Sequence, residues 1–375
     1  MSRFATYLGA AAVLFVGIFV VAISERITIS QSPVISETAP IITVFPAIES
    51  KEIEATTSVQ TQPVTVTKKK PAPSAPAPIV LSPIEEIATS IKAALTPSES
   101  SSLDASASTL RAALVNIICY APAGSSLRSI SGSGVIVDSK GIILTNAHIA
   151  QNFLLADRNV SCTIRAGSPA TDKYKVSLIY IPSSWVSANA KIITEANPSG
   201  TGEYDFAFLA ISKSVTRDEL PSYFPSIPLA TSPSNIGTPV VIASYGAQFL
   251  ESSQIQSSLF PTVVFGSVKD VFTFATNTID VLALGGSAAA QEGSSGGGIS
   301  NSEGELVGTI TTSTTHGTTD TRKLDAITSS YIRAEYANET GSALDLLLNQ
   351  PIAQSASDFA PRMSALESIL TEQLQ

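Results

Sequence analysis

Apolar and polar positions along the 375-residue chain fall into distinct textures. Residues 5–24, Ala5 to Ser24, are uncharged and mostly apolar. About 20 such residues are enough to cross a bilayer as a helix. Arg3 and the amino terminus precede the run, and Glu25 and Arg26 cancel behind it. That asymmetry favours an amino terminus inside the cell and export of the rest of the chain. The small residues Ala22-Ile23-Ser24 also suit a signal-peptidase cut, so an uncleaved anchor and a removed signal peptide both stand. Either one places the remainder outside the cytoplasm, in the periplasm or at the cell surface.

Residues 28–82 hold no apolar period and are rich in Ser, Thr, Pro, Val and Ala. Recurrent proline removes backbone donors and bars a long helix or a central strand. This texture predicts an extended, disordered linker. Residues 84–95 and 102–113 have helical spacing, and the second could cap the entrance of the domain after it. From about Ala113 short runs of Val, Ile, Phe, Tyr and Thr alternate with Gly, Ser, Asn and Pro. The runs at 113–120, 133–138, 141–146, 160–166, 174–181, 204–211, 239–245, 262–276, 278–284 and 305–312 are candidate strands. Many short strands with turns between them predict an all-β barrel or sandwich. No regular strand–helix alternation appears, which disfavours a parallel sheet. Residues 328–337, 341–349 and 357–374 turn helical. In the last of these Phe359, Met363, Leu366, Ile369 and Leu370 share a stripe, as in a helix packed on the domain. The organisation expected is an anchor or signal peptide over 1–27, a linker over 28–82, short helical segments over 83–112, a β-rich main domain over 113–340 and a helical extension over 341–375.

Composition narrows the function. The net charge is −9 with only 14% charged residues, which argues against a nucleic-acid partner, since phosphate binding wants clustered Lys and Arg. Two cysteines and two histidines match no metal-ligand spacing, so neither a metal nor another cofactor is implied.

The two histidines also make the search for a catalytic base short. His148 ends the apolar run Leu144-Thr145-Asn146-Ala147-His148, while His316 sits in a Ser/Thr/Gly-rich loop. The stretch Gly293-Ser294-Ser295-Gly296-Gly297 frames a serine with glycines, and Asp205 opens the run Phe206-Ala207-Phe208-Leu209. A serine hydroxyl attacks only when a base takes its proton, and that base needs a partner to fix its tautomer. Ser295, His148 and Asp205 supply these three groups in one of the known triad orders. The developing oxyanion needs convergent backbone donors, for which Gly293 N–H and Ser295 N–H are the candidates. Each piece alone has a plainer reading: a flexible loop, a structural histidine, a turn acid. Together, each beside a strand-like run, they point to nucleophilic acyl transfer.

The runs Ser131-Gly132-Ser133-Gly134-Val135-Ile136-Val137-Asp138 and Gly141-Ile142-Ile143-Leu144-Thr145-Asn146-Ala147-His148 resemble the histidine region of chymotrypsin-fold, trypsin-like serine proteases, nearest to the bacterial HtrA-type branch. Asp205 to Ile211 resembles that family's aspartate strand, and Gly293 to Gly297 with Gly304 to Gly308 its serine loop and following hairpin. The resemblance covers about residues 110–336. It implies two antiparallel six-stranded β-barrels, with His148 and Asp205 on the first and Ser295 on the second. It also implies a primary pocket floored by Ala289 and walled by the strand holding Thr311, Thr312 and Ser313. Thr311 stands where the family often has a serine bonding the triad acid. A pocket lined by alanine has no counter-charge for Lys or Arg and favours small or medium apolar side chains. Ser294 stands where Asp or Asn is usual, and Gly298 where proline is common. Residues 296–375 are too few to finish the second barrel and add the PDZ domain usual in that branch. In an exported domain Cys119 and Cys162 suit a disulfide, or else two buried thiols.

The function expected is a membrane-anchored serine endopeptidase acting on exposed or unfolded polypeptides. Its rivals are a tethered polypeptide-binding module that keeps the fold without cutting, and an esterase using the same triad. The oligomeric state is not readable from the sequence.

Overall fold

The first six strands follow the apolar runs and wrap into one closed barrel. They are β1 (Leu114–Tyr120), β2 (Ile130–Asp138), β3 (Ile142–Thr145), β4 (Ser161–Ala166), β5 (Thr171–Tyr180) and β6 (Ala207–Ser214). The structure, a computed structural model, describes residues 95, 97–195, 200–313, 318 and 321–374. The expected membrane span, the linker and His316 lie outside the described residues. Among the described residues no helix is long and apolar enough to cross a membrane.

The barrel closes in the order β1-β2-β3-β6-β5-β4, all pairs antiparallel. β1 is buried from Leu114 to Cys119 and β3 along its whole length. These strands are packed on both faces, which is why they read as continuous apolar runs rather than alternating ones. The β1–β4 register places Cys119 directly opposite Cys162. The two are bonded, closing a 43-residue separation.

The second half holds β7 (Pro239–Ser244), β8 (Thr262–Ser267), β9 (Asp270–Phe272), β10 (Val281–Ala283), β11 (Gly298–Ser300), β12 (Leu306–Ser313) and β13 (Leu324–Thr328). These form a seven-stranded sheet in the order β8-β7-β11-β12-β13-β10-β9. The expectation of a second closed six-stranded barrel is therefore corrected to an open half-barrel. The reason lies in the run 262–276, which is not one strand. Val268 N–H donates to Thr238 O, next to β7, whereas Lys269 N–H donates to Ala283 O on β10. The chain changes partner at that step, so its two halves become opposite edges of the sheet. Along β7, Val240 and Ile242 enter a core cluster inside the half-barrel, and Val241 and Ala243 join the main core. That alternation is the period of two expected of a strand.

Helices cover the outside. α1 (Pro97–Ala113) runs straight into β1, and α2 (Ala147–Ala150) follows β3. α3 (Ser183–Asn189) and α4 (Ser252–Ser257) lie in connections. The carboxyl end forms α5 (Ser329–Thr340), α6 (Leu344–Asn349) and α7 (Ile352–Glu372). Thr328 caps α5 by accepting from Tyr331 N, and Gly341 ends it at φ 70°. α7 lays Phe359, Leu366 and Leu370 into the core and packs on β5 and α3. Its stripe is the one read from the sequence.

Candidate active site

Strand pairing sets the histidine and the acid side by side. β3 and β6 are neighbours, with Thr145 opposite Ala207. His148 lies just past the end of β3, and Asp205 just before the start of β6. Asn146 bridges the two ends, its Nδ2 donating to Asp205 O at 2.8 Å. Asp205 is 5% exposed. Its carboxylate accepts from His148 N–H at 2.9 Å, shares a 2.8 Å bond with His148 Nδ1 and accepts from Thr311 Oγ1 at 2.8 Å. Several donors converging on one buried carboxylate fix its orientation. Against an ionised carboxylate, which can only accept, a neutral imidazole would donate from Nδ1 and leave Nε2 with a free lone pair. The imidazole keeps part of its surface open, its side chain being 22% accessible.

The serine loop is fixed from the opposite side of the seam by Ser133 on β2. Ser133 N–H donates to Ser295 O at 2.7 Å, and its hydroxyl donates to Gly293 O at 2.8 Å while accepting from Tyr245 N at 2.9 Å. Gly293 and Gly296 take φ values of 87° and 82°, which a side chain would strain. Space forbids a side chain as well: a methyl on Gly296 would run into Ser133 O and Thr145 Oγ1.

The orientation of two peptides follows from their carbonyls. Glu292 O accepts from Ala247 N at 2.8 Å, and Ser294 O accepts from Gly297 N at 2.9 Å. In a trans peptide the N–H points opposite to the C=O. Gly293 N–H and Ser295 N–H are therefore turned away from these two anchors. Among the described residues neither donates to a protein acceptor, and no hydrogen bond joins Ser295 Oγ to His148. Two fixed and unengaged amides flanking one serine are the equipment an oxyanion needs.

The pocket residues divide. Ala289 and Ala290 are fully buried in the half-barrel core, and Thr311 spends its hydroxyl on Asp205. Thr312 and Ser313 lie on β12 beyond it. Arg322, buried just before β13, donates through Nη1 to Ala290 O and to Gln248 Oε1, both at 2.8 Å. It braces the segment ahead of Gly293 against the loop after β7. Ser294 is fully buried, and its hydroxyl has no partner among the described residues. Three-ligand clusters of His, Cys, Asp and Glu are absent among the described residues.

Sequence reasoning missed Ser133, Ala247 and Arg322. Ser133 lies inside the glycine-spaced run ahead of His148, but nothing local marks a serine that acts 160 residues away. Ala247 acts through its backbone alone, which residue identity cannot signal.

Residues 132–308 match the family model of the trypsin-like peptidase domain. The match opens on β2 beside Ser133, closes on β12 and contains His148, Asp205 and Ser295. It supports the resemblance to chymotrypsin-fold serine proteases, and the closed barrel beside a half-barrel is a chymotrypsin-like arrangement. None of the curated proteins compared with the chain matches it. Among solved structures, an inactive serine-to-alanine mutant of Rv3671c from M. tuberculosis H37Rv is similar at 16% identity, over 63% of this chain and 91% of that one, with a TM-score of 0.38.

Proposed function

We propose that the chain is a serine endopeptidase in which Ser295 is the nucleophile, His148 the general base and Asp205 the acid that orients it. The observation carrying this reading is the Asp205 carboxylate, which bonds His148 at both its backbone N–H and Nδ1. That contact supports a ring orientation in which Nε2 faces away from Asp205 and serves as the base.

Ser295 Oγ attacks the substrate carbonyl carbon as its proton passes to His148 Nε2. The carbonyl electrons move onto oxygen, which Gly293 N–H and Ser295 N–H stabilise. The tetrahedral intermediate expels the amine, which takes the proton from His148. Water then repeats the sequence on the acyl-enzyme, with His148 as base and afterwards as acid. The Ser295–His148 bond closes as substrate seats, since triad hydrogen bonds tighten in the loaded enzyme. The substrates are polypeptides with a small or medium apolar side chain before the cut, received along the β12 segment Thr311-Thr312-Ser313; Ala289, fully buried, offers them no open surface. That segment is a β-strand, suited to pairing with an extended substrate backbone. The apolar run 5–24 tethers the domain to a membrane and holds it outside the cytoplasm.

A fluorophosphonate probe tests the reaction on the full chain. Labelling of wild type but not of Ser295→Ala, with cleavage of an unfolded protein substrate, is the expected result. Labelling absent from both would sink the hydrolase and leave a polypeptide-binding module. Ester turnover without peptide turnover would reassign the same triad to an esterase.

A further inference from the structure

We propose that α1 is a positioning strut, which sets Ser295 against His148 and Asp205 through Leu110 and Ser106. The inference rests on the hydrolase reading above and adds residues to it that lie outside the serine loop and the triad. The first observation is Gly298, which opens β11 three residues after Ser295. A methyl on Gly298 would stand 2.7 Å from Leu306 Cδ1, 2.9 Å from Leu110 Cδ1 and 2.9 Å from Val135 Cγ2. These side chains come from β12, α1 and β2, so elements of both halves meet over one glycine. The absence of a side chain at Gly298 is what lets α1 lie down on the nucleophile strand.

The second observation is independent of the first. Ser106 and Ser300 bond hydroxyl to hydroxyl at 2.7 Å, and both are buried. One turn apart on α1, Ser106 and Leu110 thus hold the two ends of β11, at Ser300 and Gly298. The helix also packs on β7 and β2. At its carboxyl end Ala113 continues without a break into Leu114 of β1, part of the barrel that carries the histidine and the acid. Base and nucleophile come from different halves, so their distance depends on how the halves dock. A rigid helix, covalently part of one half and pinned to the catalytic strand of the other, fixes that distance. Little slack remains between the pin and the nucleophile. Gly296 N–H and Gly297 O both bond Ile310, and Gly297 has no room for a side chain against Ala243 O. A shift at Gly298 therefore moves Ser295.

Leu110 and Ser106 touch no reacting atom, and their effect belongs in the chemical step rather than in substrate binding. The test compares kcat, KM, the rate of fluorophosphonate labelling and Tm on the full chain. Leu110→Ala lowers kcat and labelling about tenfold with KM within about twofold, because misplacing reacting groups by a fraction of an ångström is costly. Leu110→Met, which keeps the volume, restores both. Leu344→Ala opens a comparable cavity in α6 and leaves kcat at the wild-type value. Equal losses of kcat in Leu110→Ala and Leu344→Ala, or no loss in either, would overturn the strut. Should Leu110→Ala fail to fold, the double variant Ser106→Ala with Ser300→Ala decides. Replacing both partners leaves no orphaned hydroxyl, so Tm stays near wild type. Reduced labelling at that Tm upholds the strut, and wild-type labelling overturns it. A wild type that takes no probe at all removes the hydrolase reading itself.

Discussion

The Asp205 carboxylate lies almost out of solvent, and the groups around it determine what each substitution does. Asp205→Asn keeps the shape but replaces one acceptor oxygen with a donor, which would face His148 Nδ1 and turn the ring to the wrong tautomer. The expected outcome is a fall in kcat of about 10⁴-fold with KM little changed, measured by peptide hydrolysis. Thr311→Val removes one of the carboxylate's donors and keeps the volume at a 6% exposed site. Losing a hydrogen bond to a charged partner costs about 1.5–3 kcal/mol, to be read from chemical denaturation beside a lowered kcat. Gly296→Ala drives a methyl into Ser133 O, so the nucleophile loop must leave its seat. Labelling of Ser295 should fall at least about 10²-fold, the scale of losing one oxyanion donor. Labelling near wild type would show that the loop has another place to rest.

At the level of elements, two fastenings act beside the candidate site. The Cys119–Cys162 bridge ties adjacent strands of the closed barrel across a 43-residue separation. Replacing both cysteines by serine should cost about 4 kcal/mol by loop-closure entropy, a drop in Tm on the order of 10 °C. Calorimetry measures it, and an unchanged Tm would mean that the bond contributes nothing. Arg165 on β4 is the second fastening. It is 2% exposed and donates to Ala170 O, Ile255 O, Gln256 O and Asn116 Oδ1, with Asp172 as its ion-pair partner at 3.2 Å. It holds α4 against the first barrel. Arg165→Met takes the shared donor from the Ile255 and Gln256 carbonyls and leaves the buried Ala170 carbonyl unpaired, so α4 should detach and limited proteolysis should cut first within 252–257.

These elements also mark what the sequence could tell. The apolar runs of β1 and β3 were legible because strands buried on both faces read as short continuous apolar runs bounded by turn residues. His148 and Asp205 stood out as candidates because one ends and the other precedes such a run, and only two histidines competed for the base; Ser295 stood out by its flanking glycines alone. β11 was not foreseen, since Gly298-Ile299-Ser300 has little strand propensity of its own. Its extended form comes from β7 on one side and β12 on the other. The bend at Val268-Lys269 was hidden for a similar reason, because a change of pairing partner leaves the hydrophobic pattern intact.

For the molecule as a whole, the carboxyl-terminal helices belong to the fold rather than decorate it. Leu344, Leu347, Phe359, Leu366 and Leu370 are all buried and join the main core. Each such side chain contributes about 1.5–3 kcal/mol, so together they rival a typical total stability of 5–15 kcal/mol. Ending the chain after Gly341 should abolish cooperative thermal unfolding, as followed by calorimetry. A sharp transition near the full-length Tm would show the barrel and half-barrel to be self-sufficient.

The Ser133 clasp has a consequence in time. Its partners Gly293 and Ser295 are translated some 160 residues after it, when the first barrel already has every strand it needs to close. Without the clasp the carbonyls of Gly293 and Ser295 lose their anchors, so the cutting edge is assembled only after the late half has docked. On the proposed function, a half-made chain emerging among its unfolded siblings is a bystander, and the capacity to cleave polypeptide arrives as the last product of folding.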